Sequence, residues 1–389
     1  MSDKVRYYLE SSVKEIKDLK ERKIFDQDEI SKLMKRRTDF EHKLLSRGVK
    51  PEDFIAYAKF EMQFDRLRQL RVDRLQLGGK NTISDWAGPR RIVFTLERGT
   101  RRFPANLKLW MELVEYANKQ RNTKVVKRSL TNLLRMHTRD PEVWVYVAKF
   151  QLEENASVPE ARAVLQRGLR FNPKSAYLWL EYMRLELIYV AKILARRKIL
   201  GIERARKEEV DENKPISSED ELTSTDLHKS DGVDLKDLPS VNIDILGDVE
   251  SNPALRGDVA LAVYDSALSA LPTSTYLEFS EKALAIFDQF TSLNRIYLCS
   301  HILEELSHRL DKSQGITVEF WEISLPIRHY EVSSPEFPNQ LKQLFGLYAK
   351  SSKDLELKNE LRTLLAQKIL EQEAEPNLKK AVELFVAKM

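Results

Sequence analysis

The amino-acid sequence predicts an all-α fold, a right-handed α-solenoid of antiparallel helix pairs. Tryptophan recurs at Trp110, Trp144 and Trp179, 34 and 35 residues apart, a period that suits a two-helix unit. The stretch after each tryptophan reads as an A helix, and the segment before the next reads as a B helix closed by a proline, at Pro104, Pro141 and Pro173. Only 12 glycines and 14 prolines stand in 389 residues, too few for the many tight turns of a hairpin-rich β architecture.

The elements follow in chain order. Residues 1–48 do not repeat and read as a helical cap or docking element made of two amphipathic helices, YYLESSVKEIKDLKERKIF and DQDEISKLMKRRTDFEHKLLSRG. Asp26 or Asp28 is the N-cap of the second and Gly48 its terminator. Residues 49–207 form the basic half of the repeat array. In FIAYAKFE, Phe54, Tyr57 and Glu61 stand at offsets of zero, three and seven, which return to one helix face. The glycine- and proline-containing LGGKNTISDWAGP, residues 77–89, reads as a long loop before a B helix over 90–104. The same offsets give Trp110, Leu113 and Ala117, then Trp144, Val147 and Gln151, then Trp179, Tyr182 and Glu186. The tryptophan rings are expected to fill the gap between A helices of successive units, with Glu186 a polar tie to a neighbouring helix.

Residues 208–252 are acidic, polar and without apolar periodicity, and read as a flexible insertion. Beyond it, residues 253–389 carry fainter repeats: a B helix in DVALAVYDSALSALP (258–272), an A helix in TYLEFSEKALAIF (275–287) and a B-like ELRTLLAQKILEQEAEP (360–376). The closing KKAVELFVAKM has the pattern of an opening A helix, which predicts a further repeat after it.

Charge is unevenly placed. Residues 1–200 hold 43 Lys and Arg against 26 Asp and Glu, whereas residues 201–389 hold 21 against 34. The single cysteine, Cys299, has no partner for an internal disulfide, which favours a reducing compartment. The charged N-terminus lacks a signal-peptide core and no apolar run is long enough to span a bilayer, so neither export nor membrane insertion is expected.

Catalytic patterns are weak. His42, His137, His228, His301, His308 and His329 are scattered without a metal-ligand motif, and Cys299 and His301 point apart on a helix at i and i+2. GGKNT (78–82) lacks the first glycine and the hydroxyl residue of a phosphate loop, and DGVDLKD (231–237) lacks calcium-loop spacing. The expectation is a protein that is not an enzyme and takes no cofactor, metal or small-molecule substrate. Basic clusters supply a candidate surface for RNA phosphates or an acidic partner: Lys35, Arg36 and Arg37; Arg66, Arg68, Arg71 and Arg74; Arg98, Arg101 and Arg102; and Arg196 and Arg197. The alternative is that these arginines pair with acids across the helical array, and no aromatic stacking platform stands out.

The pattern Trp-x-x-aromatic-x-x-x-Glu, seen at Trp179, Tyr182 and Glu186, with a B helix ending in proline, resembles the half-a-TPR (HAT) repeat of RNA-processing scaffolds, although Ala117 and Gln151 stand where Glu is usual. RYYLE, LMKRRTDFEHKLLSRG and EDFIAYAKFE resemble the N-terminal region of the U-three small nucleolar RNA-associated protein six family. That resemblance implies a nucleolar, non-catalytic scaffold of the small-subunit processome, needed for pre-rRNA processing and small-subunit biogenesis. It implies β-propeller protein partners, with U-three snoRNA and the pre-rRNA 5′ external transcribed spacer touched indirectly or by weak backbone contacts. The other readings are a HAT scaffold of pre-mRNA splicing or 3′-end processing, and a direct RNA-binding solenoid.

Overall fold

Side chains that satisfy the orphan N–H groups of a helix end set most of the boundaries. The Asp26 N–H donates to Glu29 (3.1 Å), the Lys50 N–H to Asp53 (2.9 Å) and the Thr82 N–H to Asp85 (2.8 Å). Asn106, Asn122 and Asn294 accept from the N–H three residues on. The computed structural model describes residues 2–10, 12–77, 82–199, 252–310, 315–330, 334, 336–351, 354–370 and 376–388. Among them are helices and turns and no strand, so the all-α expectation holds. No helix of the described residues is long and apolar enough to cross a membrane.

The chain forms two units, Met1–Thr138 and Arg139–Met389. The first contains α1 (Ser2–Glu10), α2 (Val13–Glu21), α3 (Gln27–Leu45), α4 (Pro51–Arg74), α5 (Ile83–Arg102), α6 (Leu107–Lys119) and α7 (Thr123–Met136). The helix expected over 7–25 is two helices; the Ser12 hydroxyl donates to the Leu9 carbonyl (2.6 Å), a side-chain bond that competes with continuing the helix. Helix α1 packs on α3, α2 on α5, and α4 on both α3 and α5. The core is made by Leu44, Phe54, Tyr57, Ala58, Ile92, Leu96, Leu109 and Leu113.

The long loop expected over 77–89 is shorter, because α5 already begins at Ile83 under its Thr82–Asp85 cap. Gly88 and Pro89 lie inside the helix and do not break it. Gly88 is where α5 closes on α4: a Cβ there would sit 2.9 Å from Asp65 Oδ1.

The second unit contains α8 (Pro141–Glu153), α9 (Val158–Phe171), α10 (Ala176–Ile199), α11 (Pro253–Arg256), α12 (Asp258–Ala270), α13 (Tyr276–Asp288), α14 (Arg295–Arg309), α15 (Gly315–Arg328), α16 (Phe337–Lys350), α17 (Leu355–Leu365) and α18 (Pro376–Lys388). Most of the acidic insertion expected over 208–252 lies outside the described residues. Helices α12 and α13 match the expected pair, joined by the Tyr264–Phe279 stack and by the Tyr264 and Ser280 hydroxyls, 2.6 Å apart. Helices α14, α15 and α16 had no counterpart in the repeat reading, and the 360–376 segment is α17 followed by a π turn at Ala366–Leu370.

The repeat prolines are not equivalent. Pro104 and Pro173 follow the ends of α5 and α9, and their carbonyls accept the indole N–H of the tryptophan six residues later, Trp110 (2.9 Å) and Trp179 (2.8 Å). Pro141 instead opens α8 at its first residue, three before Trp144. Trp144 is buried against α9, stacked on Phe171 at 5.8 Å between centroids, rather than bridging successive A helices. A Cβ at Gly168 would lie 2.9 Å from that indole. Gly168→Ala is therefore expected to destabilise the second unit by about 1–3 kcal/mol, since the rigid ring has no room to yield. A lower midpoint in urea unfolding is the readout, and an unchanged midpoint would refute the packing argument.

Candidate functional site

The apolar stripe of α4 runs Phe54, Ala58, Glu61, Asp65, Arg68 at alternating offsets of four and three, so three charged side chains continue a buried face. Four helices satisfy them. Arg37 of α3, 0% exposed, donates from Nε and Nη2 to the two Glu61 oxygens, both at 2.8 Å, and from Nη1 and Nη2 to Glu15 of α2 at 3.4 and 3.3 Å. Arg91 of α5 completes the group, with Nη1 to Glu61 at 3.2 Å and Nη2 on Glu15. Two carboxylates meet two guanidiniums, so the buried charge sums to zero. Burial works against the Glu15 carboxylate, yet Arg37 and Arg91 hold its pKa below the ordinary value.

Further arginines extend this group outward. Arg68 bridges Asp65 (3.0 Å) and Asp85. Arg71 grips Glu29 through two bonds of 2.7 and 2.8 Å and lies 4.4 Å from the Phe25 ring. Arg98 grips Glu41 through two 2.9 Å bonds under the Tyr8 ring, and Arg102 caps the end of α3 through the Leu44 (2.7 Å) and Ser46 (3.0 Å) carbonyls. In the second unit Glu186 plays the part of Glu61, accepting Arg162 Nε at 2.7 Å and Nη2 at 2.6 Å, while Tyr182 accepts from Gln166.

The basic residues expected to form a surface are thus divided between interior and exterior, and for part of them the alternative of pairing with acids across the array applies. Arg37 and Arg68 are buried ion partners and form no surface, because each lies on a helix face that acids on neighbouring helices also share. Arg71 is half-buried on Glu29, Arg102 is spent on carbonyls, and Arg197 is buried in α10 beside half-buried Arg196. Lys35, Arg36, Arg66, Arg74, Arg101 and Arg102 are exposed. Of the repeat positions, Phe54, Tyr57, Glu61, Trp110, Leu113, Trp144, Val147, Tyr182 and Glu186 are buried and Trp179 is half-buried. A charged residue inside a buried stripe was the available signal for Glu61, Asp65 and Arg68.

Two groups of ligating side chains lie in the second unit. The Cys299 thiol stands 3.7 Å from His329 Nε2, whose Nδ1 is 3.4 Å from Asp288. The order resembles a nucleophile, base and orienting acid, and the partner is His329 rather than the sequence neighbour His301. Burial pushes the thiol up to about 12 and the imidazole down to about 4, so both rest neutral and the cysteine is a poor nucleophile. Arg328 holds both Asp288 oxygens, at 3.1 and 3.0 Å from Nε. In the other group His301 Nε2 sits 3.1 Å from Asp265, and Glu305 is taken by Arg309 at 3.2 Å. Each group brings its ligand atoms within 4.8 Å of one another; Arg328 already pairs with Asp288 and Arg309 with Glu305, while Asp265 faces His301.

Arg37→Met strands Glu15 and Glu61 with Arg91 alone and is expected to cost about 3–5 kcal/mol in the first unit, read as a lowered urea midpoint. The Arg71 bonds lower Glu29 from 4.5 to about 2. A carboxylate depressed on folding contributes its stability above pH 4.5 and loses it as pH falls towards 2. Glu29→Gln should thus lower stability at pH 7 and flatten the loss between those two values; an unaltered pH profile would contradict the pairing.

The sequence is similar to curated proteins over part of its length. Residues 9–91 match the family model of U3 small nucleolar RNA-associated protein 6. The U3 small nucleolar RNA-associated protein 6 of Schizosaccharomyces pombe is 41% identical over 200 residues, 51% of this chain and 41% of that protein. The human homolog is 26% identical over 222 residues (57% and 36%), and that of Dictyostelium discoideum 24% over 273 residues (69% and 43%). The aligned stretches thus span less than half the length of each relative. The family resemblance carried by RYYLE, MKRRTDFEHKLLSRG and EDFIAYAKFE is to U3 small nucleolar RNA-associated protein 6, through its family model at residues 9–91 and through relatives along half or more of the chain.

Proposed function

We propose that this chain is a non-catalytic scaffold of the small-subunit processome, acting in the nucleolus in pre-rRNA processing and small ribosomal subunit biogenesis. The observation that carries the reading is a coincidence of fold and similarity. The matched residues 9–91 contain Glu15, Arg37, Glu61 and Arg91, the buried ion group that locks α2, α3, α4 and α5 into one block. A helical block locked by buried ion pairs suits adhesive work, in which faces and edges dock partner segments.

In this reading the helix pairs are HAT-type units of a right-handed α-solenoid. The recurring indole-to-proline-carbonyl bonds of Trp110 and Trp179 and the recurring Glu–Arg ties of Glu61 and Glu186 support it. The partners are β-propeller subunits of a U3 snoRNP-associated subcomplex, with U3 snoRNA and the pre-rRNA 5′ external transcribed spacer held within the same assembly.

Affinity purification of the chain from cells after nuclease treatment, followed by mass spectrometry, tests this reading. Retention of processome β-propeller proteins is the expected result. Their loss with the RNA, or their replacement by splicing or 3′-end cleavage factors, would overturn it.

A further inference from the structure

The outer face of α5 carries apolar and basic residues that stay exposed among the described residues of the first unit. Ile83, Trp86, Arg90, Phe94, Glu97 and Arg101 follow at offsets of three and four, a single stripe along the helix. Ile83 is 56% exposed, Trp86 65% and Phe94 40%, large values for apolar side chains on a folded protein. Phe94 leans on Tyr8 at 5.8 Å, whereas Trp86 has no ring contact among the described residues.

Helix α7 adjoins this stripe. Its Lys124, Lys127, Arg128, Thr131 and Arg135 are all exposed and the helix contains no acidic residue. Arg128 pairs with Glu97 and so joins the two helices, and Arg101 stands 3.5 Å from the same carboxylate, which neutralises the only acid of the stripe. Arg90, Lys124, Lys127 and Arg135 have no ion pair among the described residues, unlike the arginines buried between α2 and α5.

We infer that the α5–α7 face binds single-stranded RNA directly, with Trp86 and Phe94 stacking on bases and Arg90, Lys124, Lys127 and Arg135 meeting successive phosphates. Unpaired cations in a row suit a polyanion of regular charge, and exposed rings set among them suit unpaired bases, whose faces a duplex hides. This goes beyond the scaffold reading and does not depend on it: nuclease-resistant partner retention and RNA affinity are separate readouts.

The test is fluorescence anisotropy with the full chain, using a labelled oligouridylate about 20 nucleotides long and an RNA duplex of the same length at low salt. The single strand is expected to bind more tightly than the duplex. Lys124→Glu/Lys127→Glu should weaken it about tenfold and reduce the slope of log affinity against log salt by about 1–2, since each lost phosphate contact contributes about 0.7. Trp86→Ala, at an exposed position that leaves the fold intact, should weaken binding about tenfold with the slope unchanged. Lys35→Glu/Arg36→Glu on α3 makes the same charge change elsewhere and should leave affinity within about twofold. Failure of the unmodified protein to bind, equal losses in the two double variants, no effect of Trp86→Ala, or equal affinity for duplex would each overturn the inference. Displacement of the RNA by polyglutamate at matched charge would assign the face to an acidic protein segment instead.

Discussion

Arg37 has no water to turn to, and the arrangement of the first unit follows from that. A guanidinium at zero exposure is tolerable only where carboxylates saturate its donors, and Glu61 and Glu15 do so from two different helices. Arg91 then offsets the second negative charge from a third direction. The register of α2, α3, α4 and α5 is coupled through this group, because sliding any one helix by a turn would leave a buried charge unpaired. Gly88 lets α5 approach α4 closely enough for Arg68 to bridge Asp65 and Asp85 beside it.

Apolar packing plays the corresponding part in the second unit. Trp144 is closed in by Gly168 and stacked on Phe171, so the α8–α9 pair is held by shape complementarity rather than by charge. The Glu186–Arg162 and Tyr182–Gln166 bonds satisfy the polar groups that this packing buries between α9 and α10. Further along, the Cys299–His329–Asp288 group, with Arg328 on the carboxylate, ties α13, α14 and the end of α15.

Spending arginine inside the fold has a consequence for the surface. Several arginines of the N-terminal half are paired with carboxylates in the core, so the position of an arginine in the sequence is by itself a poor guide to where a polyanion docks. Arg90 of α5 and Lys124, Lys127 and Arg135 of α7 are among the exposed cations that remain, beside the exposed rings of Trp86 and Phe94 on α5. Arginine thus stands in two physically different settings here, paired inside the fold and solvated outside it.

Periodicity alone determined the helical class, the A and B helices around Trp110, Trp144 and Trp179, the α12–α13 pair and the buried stripe of Phe54, Tyr57 and Glu61, because a spacing of 3.6 residues is a local property of the chain. Local rules failed where a distant contact decides. Gly88 and Pro89 looked like loop residues but lie within α5, since the Thr82–Asp85 cap starts the helix earlier and α4 needs the missing Cβ. Pro141 looked like a terminator and is a first helical residue. In sequence Arg37 and Arg68 stand among candidate surface cations, with pairing to acids across the array as the alternative, and nothing points from Cys299 to His329. Arg37 has its carboxylates 22 and 24 residues away on other helices and Cys299 its imidazole 30 residues away, while Arg68 takes Asp65 on its own helix and Asp85 17 residues on. A charged side chain on a helix reads the same in sequence whether water or a carboxylate faces it; only the packing of the neighbouring helix selects between them, through the cost of burying an unpaired charge.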